Sequence, residues 1–356
     1  MANQFLTLKD ITAREGTDDV VGLVENIVNV APELDRVMGR PIPGISFRAR
    51  IRTAIAGNAA FRQVNGGVNL SASSIDRKRF NCFPFDVQLR VDEALILEGE
   101  AEGDTMGQIL TEEATGAMRA KALQLGKQFY QGTLNDPNGC PGLIDFLTTA
   151  RTQVDSRTGL KINQTVDAGG TTAGACQVVW FIKQGPQGVH WLFGRGRGIV
   201  MNPWEPQQTA ASNQNTASLA SVQFNRSWTS NLFGYIGTAM ANYHAVGAII
   251  NVNPTVTINN GTLTYANPLT DQQIADLWAL FPITEKPDMA FCTQLAAASL
   301  QAQRTITNMV GFSGGDRKWT GGIAPIADFP TTLPTAGNIP LVVTDSIQPG
   351  NQLVLT

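Results

Sequence analysis

An α+β fold follows from three features of the sequence. Period-two alternation begins at Ile45, a helix-period stripe runs from about residue 105 to 131, and the second half mixes short β-rich runs with short helices in no regular order. The chain has 356 residues, 43% hydrophobic and 15% charged, which suffices for one large core or two ordinary ones.

Residues 1–45 read as an N-terminal arm. Thr17 or Asp18 can cap a short helix whose Val20, Val21, Leu23, Val24, Ile27 and Val28 recur at helical spacing, and the turn-rich GRPIPG ends it. From Ile45 the period changes to two. Phe47, Ala49 and Ile51 alternate with Arg48, Arg50 and Arg52, which describes a strand with one dry and one charged face. A second β-rich run follows at FPFDVQLRV, and the stretch between the two is polar, glycine-containing and too poor in apolar residues to build a core. Residues 46–90 are therefore expected to form an extended β-hairpin loop projecting from the body.

The clearest helix lies in DTMGQILTEEATGAMRAKALQLGKQFYQG. Thr105 and Gln108 are spaced as a capping box, and Gly132 stands as the stop. Met106, Ile109, Leu110, Ala114, Ala117, Met118, Leu125 and Phe129 form its expected buried stripe, a spine for residues 91–160. Over residues 161–335 the runs CQVVWFIK and GVHWLFG predict strands, and LTDQQIADLWALF and AFCTQLAAASLQAQRTI predict helices. No repeat and no regular strand–helix alternation appears, so a doubly wound sheet is excluded. Residues 336–356 contain two β-type runs around a Pro-Gly turn and are expected to return to the body.

Composition narrows the function. With 26 basic and 29 acidic side chains, a net charge of -3 supplies no whole-molecule field for nucleic acid. No stretch approaches the ~20 apolar residues of a membrane span, and the N-terminus lacks an apolar signal core, so the chain is expected to stay in the cytosol. Cys82, Cys140, Cys176 and Cys292 lie far apart without a Cys-x-x-Cys pair and read as reduced thiols. His190 and His244 are the only histidines, and both read as structural. The GRGRG segment at Gly194–Gly198 lacks the endings of a phosphate loop or a dinucleotide fingerprint and reads as a flexible turn between strands. No hydrolase elbow, zinc helix or calcium loop occurs, so no catalytic residue, cofactor or metal site is expected.

One charge pattern is segmental. Residues 40–90 carry nine basic against two acidic side chains, and residues 91–120 carry eight acidic against Arg119 alone. Either the charges have a bland role, as neutralisation within the chain or plain solubility, or the basic loop of one copy lies over the acidic helix of the next. On the second reading Arg48, Arg50, Arg52, Arg77, Lys78 and Arg79 form the loop side. Glu98, Glu100, Glu102, Asp104, Glu112 and Glu113 form the receiving side.

An arm, an extended β-rich loop, a spine helix, a mixed α+β second part and a returning C-terminal strand resemble, in that order, the Hong Kong 97-type fold. Three stretches are similar to the major capsid proteins of tailed bacteriophages, also called major head proteins. They are QFYQGTLNDPNGCPGLIDF, where Gly139, Pro141, Gly142 and Leu143 reshape the chain after the spine, then GPQGVHWLFGRGRGI and NIPLVVTDSI. The resemblance implies a peripheral domain on the spine, an axial domain in the second half, and pentamers and hexamers of an icosahedral shell around double-stranded DNA. It also implies a portal protein, a decoration protein in some relatives, and location in the virion after assembly in the host cytoplasm. Only about 45 residues precede the loop, so a separate scaffolding protein is expected. Some relatives crosslink a loop lysine to an asparagine; Lys78 lies in the loop, but no acceptor can be matched and that chemistry is not carried over. The alternatives are an encapsulin-type compartment shell and, from another class, a cytosolic enzyme with a site in the second half.

Overall fold

The computed structural model describes residues 31–55, 61–67, 72–155, 158–210, 224–259, 262–311, 335–336 and 339–350. The arm helix expected over residues 17–28 lies outside them. A short helix α1 (Glu33–Arg36) leads into strand β1 (Gly39–Pro41). Strands β2 (Ser46–Ala54) and β3 (Ser74–Asn81) then form a two-stranded antiparallel hairpin.

This pairing corrects the expected one, in which FPFDVQLRV was the return strand. That run forms β4 (Phe83–Asp92) and belongs to the body. The physical reason lies in apolar content. β4 carries Phe83, Phe85, Val87, Leu89 and Val91 at every second position, whereas β3 buries only Phe80. The richer stripe goes to the core.

Helix α2 (Glu93–Glu102) follows at once, capped by the Asp92 carboxylate, which accepts from the Ala94 amide at 3.0 Å. The spine α3 (Met106–Gln131) starts at the expected capping box. The Gln108 amide donates to Thr105 Oγ1 at 3.3 Å, and the Thr105 amide donates to Gln108 Oε1 at 2.8 Å. Its apolar stripe is buried only at the two ends, against expectation. Ile109 and Leu110 join Val91 and Ile96 in a small core, and Leu125, Phe129 and Tyr130 join the main one. Between Ala114 and Leu125 no residue is buried, and Met118 is 44% exposed, because the helix bridges two cores.

The turn after the spine is organised by Gln128, buried at the helix end. Its Nε2 donates to the carbonyls of Gly132 (2.9 Å) and Cys140 (2.7 Å), and its Oε1 accepts from Asn135 Nδ2 (2.8 Å). Gly132 and Gly142 let two backbone segments touch. A Cβ on Gly132 would lie 2.1 Å from the Gly142 nitrogen, and one on Gly142 2.3 Å from the Gly132 nitrogen. Asp145 then accepts from the amides of Gly142 and Thr133, both at 2.9 Å, and starts helix α4 (Leu143–Arg151).

The rest of the chain supplies β5 (Thr165–Asp167), β6 (Gln177–Ile182), β7 (Val189–Phe193), β8 (Val200–Met201), β9 (Glu205–Ala210) and the long strand β10 (Phe224–Met240). Then come β11 (Val246–Asn259), β12 (Thr262–Asn267), helix α5 (Asp271–Leu280), β13 (Met289–Cys292), helix α6 (Gln294–Gly311), β14 (Thr335–Ala336) and β15 (Ile339–Val343). The helix expected from AFCTQL onward starts only at Gln294. Its first residues form β13 because Ala290, Phe291 and Cys292 are buried on both faces of a sheet.

Two sheets result, interleaved along the sequence. In the first, β4 pairs along one edge of β10, and β9, β8 and β7 follow one another along the other, with β1 parallel to β7 outside them. The second runs β12-β11-β6-β13-β15-β14, with β5 against β11 and β15 parallel to β13. Between them sits the end of the spine. The Phe129 ring lies 5.0 Å from Trp191 of the first sheet, and Tyr130 lies 5.9 Å from Phe291 of the second. Glu33 closes the structure. Its buried carboxylate accepts from the hydroxyls of Thr344 and Ser346, and its carbonyl accepts from Trp191 Nε1 at 3.2 Å.

Replacing Gln128 with alanine leaves three carbonyls without their donor and should cost the subunit about 1–3 kcal/mol, read from its urea unfolding curve. Burial holds the Glu33 carboxyl above its ordinary range. Its proton is thus bound more tightly in the fold than in the unfolded chain, and this contribution is full below the unfolded value and lost as pH rises through the folded one. Melting temperatures taken across mildly acidic to neutral pH should fall less steeply for Glu33→Gln than for the parent.

Candidate assembly interface

The hairpin register sorts its side chains onto two faces. Phe47 stands opposite Phe80, and Ala49 opposite Lys78, on the face that meets the body. The Phe47 and Phe80 rings stack at 6.4 Å, Phe80 meets Phe146 edge-on at 6.2 Å, and Phe47 meets His190 at 5.9 Å. These rings anchor the root. Farther out, Ile55, Phe61 and Val64 are exposed, Val64 at 93%.

On the other face Arg48 stands opposite Arg79 and Arg50 opposite Arg77, with Arg52 one step beyond, opposite Ile75. All five are exposed, and no carboxylate among the described residues pairs with them. Directly opposed like charges destabilise a strand pair. At ~6 Å in water each pair costs about 0.7 kcal/mol before salt screening. The neutralisation within the chain that the segmental charges allowed is thus not made by these arginines.

Lys78 does not share their face. Its Nζ lies 5.0 Å from the Tyr243 ring centroid, 5.2 Å from Phe80 and 5.8 Å from Phe146, all in the same chain. Burial lowers its pKa, and the rings supply the cation–π contacts that partly offset the lost water.

The acidic side is distributed over two helices. Glu98 and Glu100 are exposed on α2, while Asp104, Glu112 and Glu113 are half-buried at the helix junction and on the spine. Glu112 has a partner within the chain. The side chain of Glu102 lies outside the described residues. Glu93, from the same acidic segment, is engaged by Arg226 at 3.3 Å.

Sequence reasoning missed a trough on the first sheet. Asp86 on β4 and Glu205 on β9 are remote in sequence and come to one face only because both strands flank β10. The trough is open and polar, with a cavity of about 520 Å³. A second cavity of the same volume shares Asp86 and continues to Arg195 and Arg197. The GRGRG turn that carries these arginines is pinned, not flexible as expected. The Arg195 amide donates to the Gly44 carbonyl at 3.0 Å and its guanidinium lies 4.9 Å over Tyr235, while the Gly196 amide donates to Ile42 at 2.7 Å.

Elsewhere the chemistry is quiet. All four cysteines are buried and free, and burial pushes the thiols of Cys140 and Cys292 up to about 12. Burial also lowers the pKa of His190. Among the described residues no His, Cys, Asp and Glu group could hold a metal ion, and no helix is long and apolar enough to cross a membrane.

No protein-family model and no curated protein matches the sequence. Solved structures do match. A chain in the structure of bacteriophage Epsilon15 aligns over 100% of this chain and 99% of its own, at 15% identity and a TM-score of 0.65. The capsid of bacteriophage JBD30 aligns over 84% of this chain and 86% of its own, at 9% identity and a TM-score of 0.42. A holo encapsulin complex from Synechococcus elongatus aligns over 70% of this chain and 97% of its own, at 10% identity and 0.36. The full-length likeness to the Epsilon15 chain establishes the fold, the mixed α+β arrangement of the Hong Kong 97 type expected from the sequence.

Proposed function

We propose that this chain is the major capsid protein of a tailed bacteriophage, a structural subunit that works by assembling copies of itself and carries no catalytic site. The observation that carries the reading is the unpaired arginine ladder on a hairpin whose described residues pack on the body only at its root. A two-stranded ribbon with exposed apolar residues at its far end gains order only from a neighbour. The Epsilon15 likeness supports the reading, since that chain comes from a bacteriophage particle and matches over the whole length.

In the assembled particle the loop arginines Arg48, Arg50, Arg52, Arg77 and Arg79 of one copy face acidic side chains of the next. Glu98, Glu100, Asp104 and Glu113 are the carboxylates of the expected set with no partner in the described chain. Such a head-to-tail contact is heterologous and closes into rings, here pentamers and hexamers of an icosahedral shell. The hairpin at residues 46–81 bridges subunits, residues 91–160 form the peripheral domain, and residues 161–335 form mainly the axial one. Residues 1–45 serve as the arm, and residues 336–356 return to the body. A portal protein and a scaffolding protein are the expected partners, with a decoration protein an optional addition. The shell encloses double-stranded DNA without reading its sequence, in keeping with the net charge of -3. It is assembled in the host cytoplasm and resides in the virion.

Negative-stain electron microscopy of the chain expressed alone and with a neighbouring scaffold candidate should reveal closed shells, tubes or rings; monodisperse monomers in both samples would refute the proposal. Reversing Arg48, Arg50 and Arg52 to glutamate should abolish those particles while the circular dichroism of the subunit stays unchanged. Lys78→Met, which keeps the packing length of a side chain turned to the body, should leave both particle yield and melting temperature close to the parent.

A further inference from the structure

We infer that the trough on the first sheet is a seat for the arginine ladder of a second copy, so that Asp86 and Glu205 extend the receiving surface beyond α2 and the spine. The inference rests on the assembly reading and adds to it a surface that the sequence did not indicate.

The register places the relevant side chains on one face. Asp86 stands opposite Phe233, Gln88 opposite Asn231, and Glu205 opposite Thr229, so β4, β10 and β9 each contribute to one floor. Asp86 and Glu205 therefore flank β10 on opposite edges, four positions apart along it. That is roughly 13 Å along the strands and two strand spacings, about 9.5 Å, across them. Both carboxylates are exposed and have no partner in the described chain. Gln88, Thr229 and Asn231 lie between them and Gln207 just beyond Glu205, and the amide and hydroxyl oxygens of these four can accept from a guanidinium. The cation nearest by register, Arg90, opposite Thr229, is held to Ser227 Oγ at 3.1 Å and does not line the cavity.

Charge and chemistry choose the occupant. An open, polar, carboxylate-bearing trough repels phosphate and lacks the apolar walls of a small-molecule pocket. It fits a flat ribbon presenting several guanidinium groups, each with five donors. The ladder of this same chain is such a ribbon. Its Arg48/Arg79 and Arg50/Arg77 rungs stand about 7 Å apart along the strands, and their outstretched side chains widen that footprint toward the diagonal of the trough.

The test is a charge swap in the full chain, read as particle yield by sedimentation and electron microscopy. A ladder-reversed variant carries Arg48→Glu, Arg50→Glu, Arg77→Glu and Arg79→Glu; a trough-reversed variant carries Asp86→Arg and Glu205→Arg; a third combines all six. The ladder-reversed and trough-reversed variants should each lower yield roughly tenfold or more, and the combination should recover part of the loss of the ladder-reversed chain, because opposite signs again face each other at the trough while the carboxylates of α2 and the spine stay acidic. A milder pair, Asp86→Asn with Glu205→Gln, should lower yield several-fold and guards against misfolding of the reversed chains. Wild-type yield from the trough variants, or a combined variant no better than the ladder-reversed one while folded, overturns the seat and leaves the assembly reading standing. Failure of the parent chain to assemble, alone or with its scaffold, would overturn the assembly reading and the seat with it.

Discussion

Two consecutive aromatic residues at the end of the spine hold the molecule together. Phe129 and Tyr130 project about 100° apart around the helix axis, so a single turn can address both sheets. Phe129 packs on Trp191 at 5.0 Å and on Phe291 at 6.4 Å, while Tyr130 packs on Phe291 and stacks with Trp180 at 6.5 Å. A helix is stiff, so the seat of its last turn fixes the direction of all 26 residues, about 39 Å of rod. Its far end then meets the small core around Val91 and Ile96, which fixes where β4 ends and α2 begins. The trough along β4 and β10 and the acidic helix α2 are both held by this one joint.

The two ends of the described chain close on the same place. Glu33 comes from the N-terminal side, and Thr344 and Ser346 from the C-terminal side. They meet beside Gly126, where a Cβ would lie 2.1 Å from Ser346 Oγ. A buried carboxyl is costly unless its oxygens are satisfied. Here two hydroxyls satisfy it, and the arrangement holds only while arm, spine and C-terminal segment are all in place. The hairpin is the opposite case. Beyond the rings at its root, the described residues of the hairpin, Ile55, Phe61 and Val64 among them, are exposed and join no core of the body.

What the sequence disclosed follows the range of the interactions. The start of the spine was legible because a capping box is local, and Thr105 and Gln108 carry both halves of it. The alternation of Phe47 to Arg52 was legible for the same reason. The return strand was not, because SIDRKRFN and FPFDVQLRV both read as strands and only competition for β10 separates them. The inward turn of Lys78 was written in the sequence after all: in RKRF a period of two puts Lys78 on the side of Phe80 and leaves Arg77 and Arg79 on the other. Asp86 and Glu205 had no local signature, since their proximity is a product of sheet register.

Arginines seated among carboxylates add less affinity than their number suggests. Each guanidinium and each carboxylate loses water as the surfaces close, and the Coulomb gain roughly balances that loss unless the hydrogen bonds are complete. The ladder's contribution in the proposed contact would therefore be mainly register, since sliding the ribbon along the trough would move its guanidinium groups off the carboxylates. In the proposed contact the attraction would fall instead to exposed apolar residues such as Phe61 and Val64 beyond the ladder, whose burial is undirected and tolerant of shape. A contact with modest attraction and strict register is reversible when misplaced and selective when correct, and repetition around a closed ring makes the sum large although no single contact is.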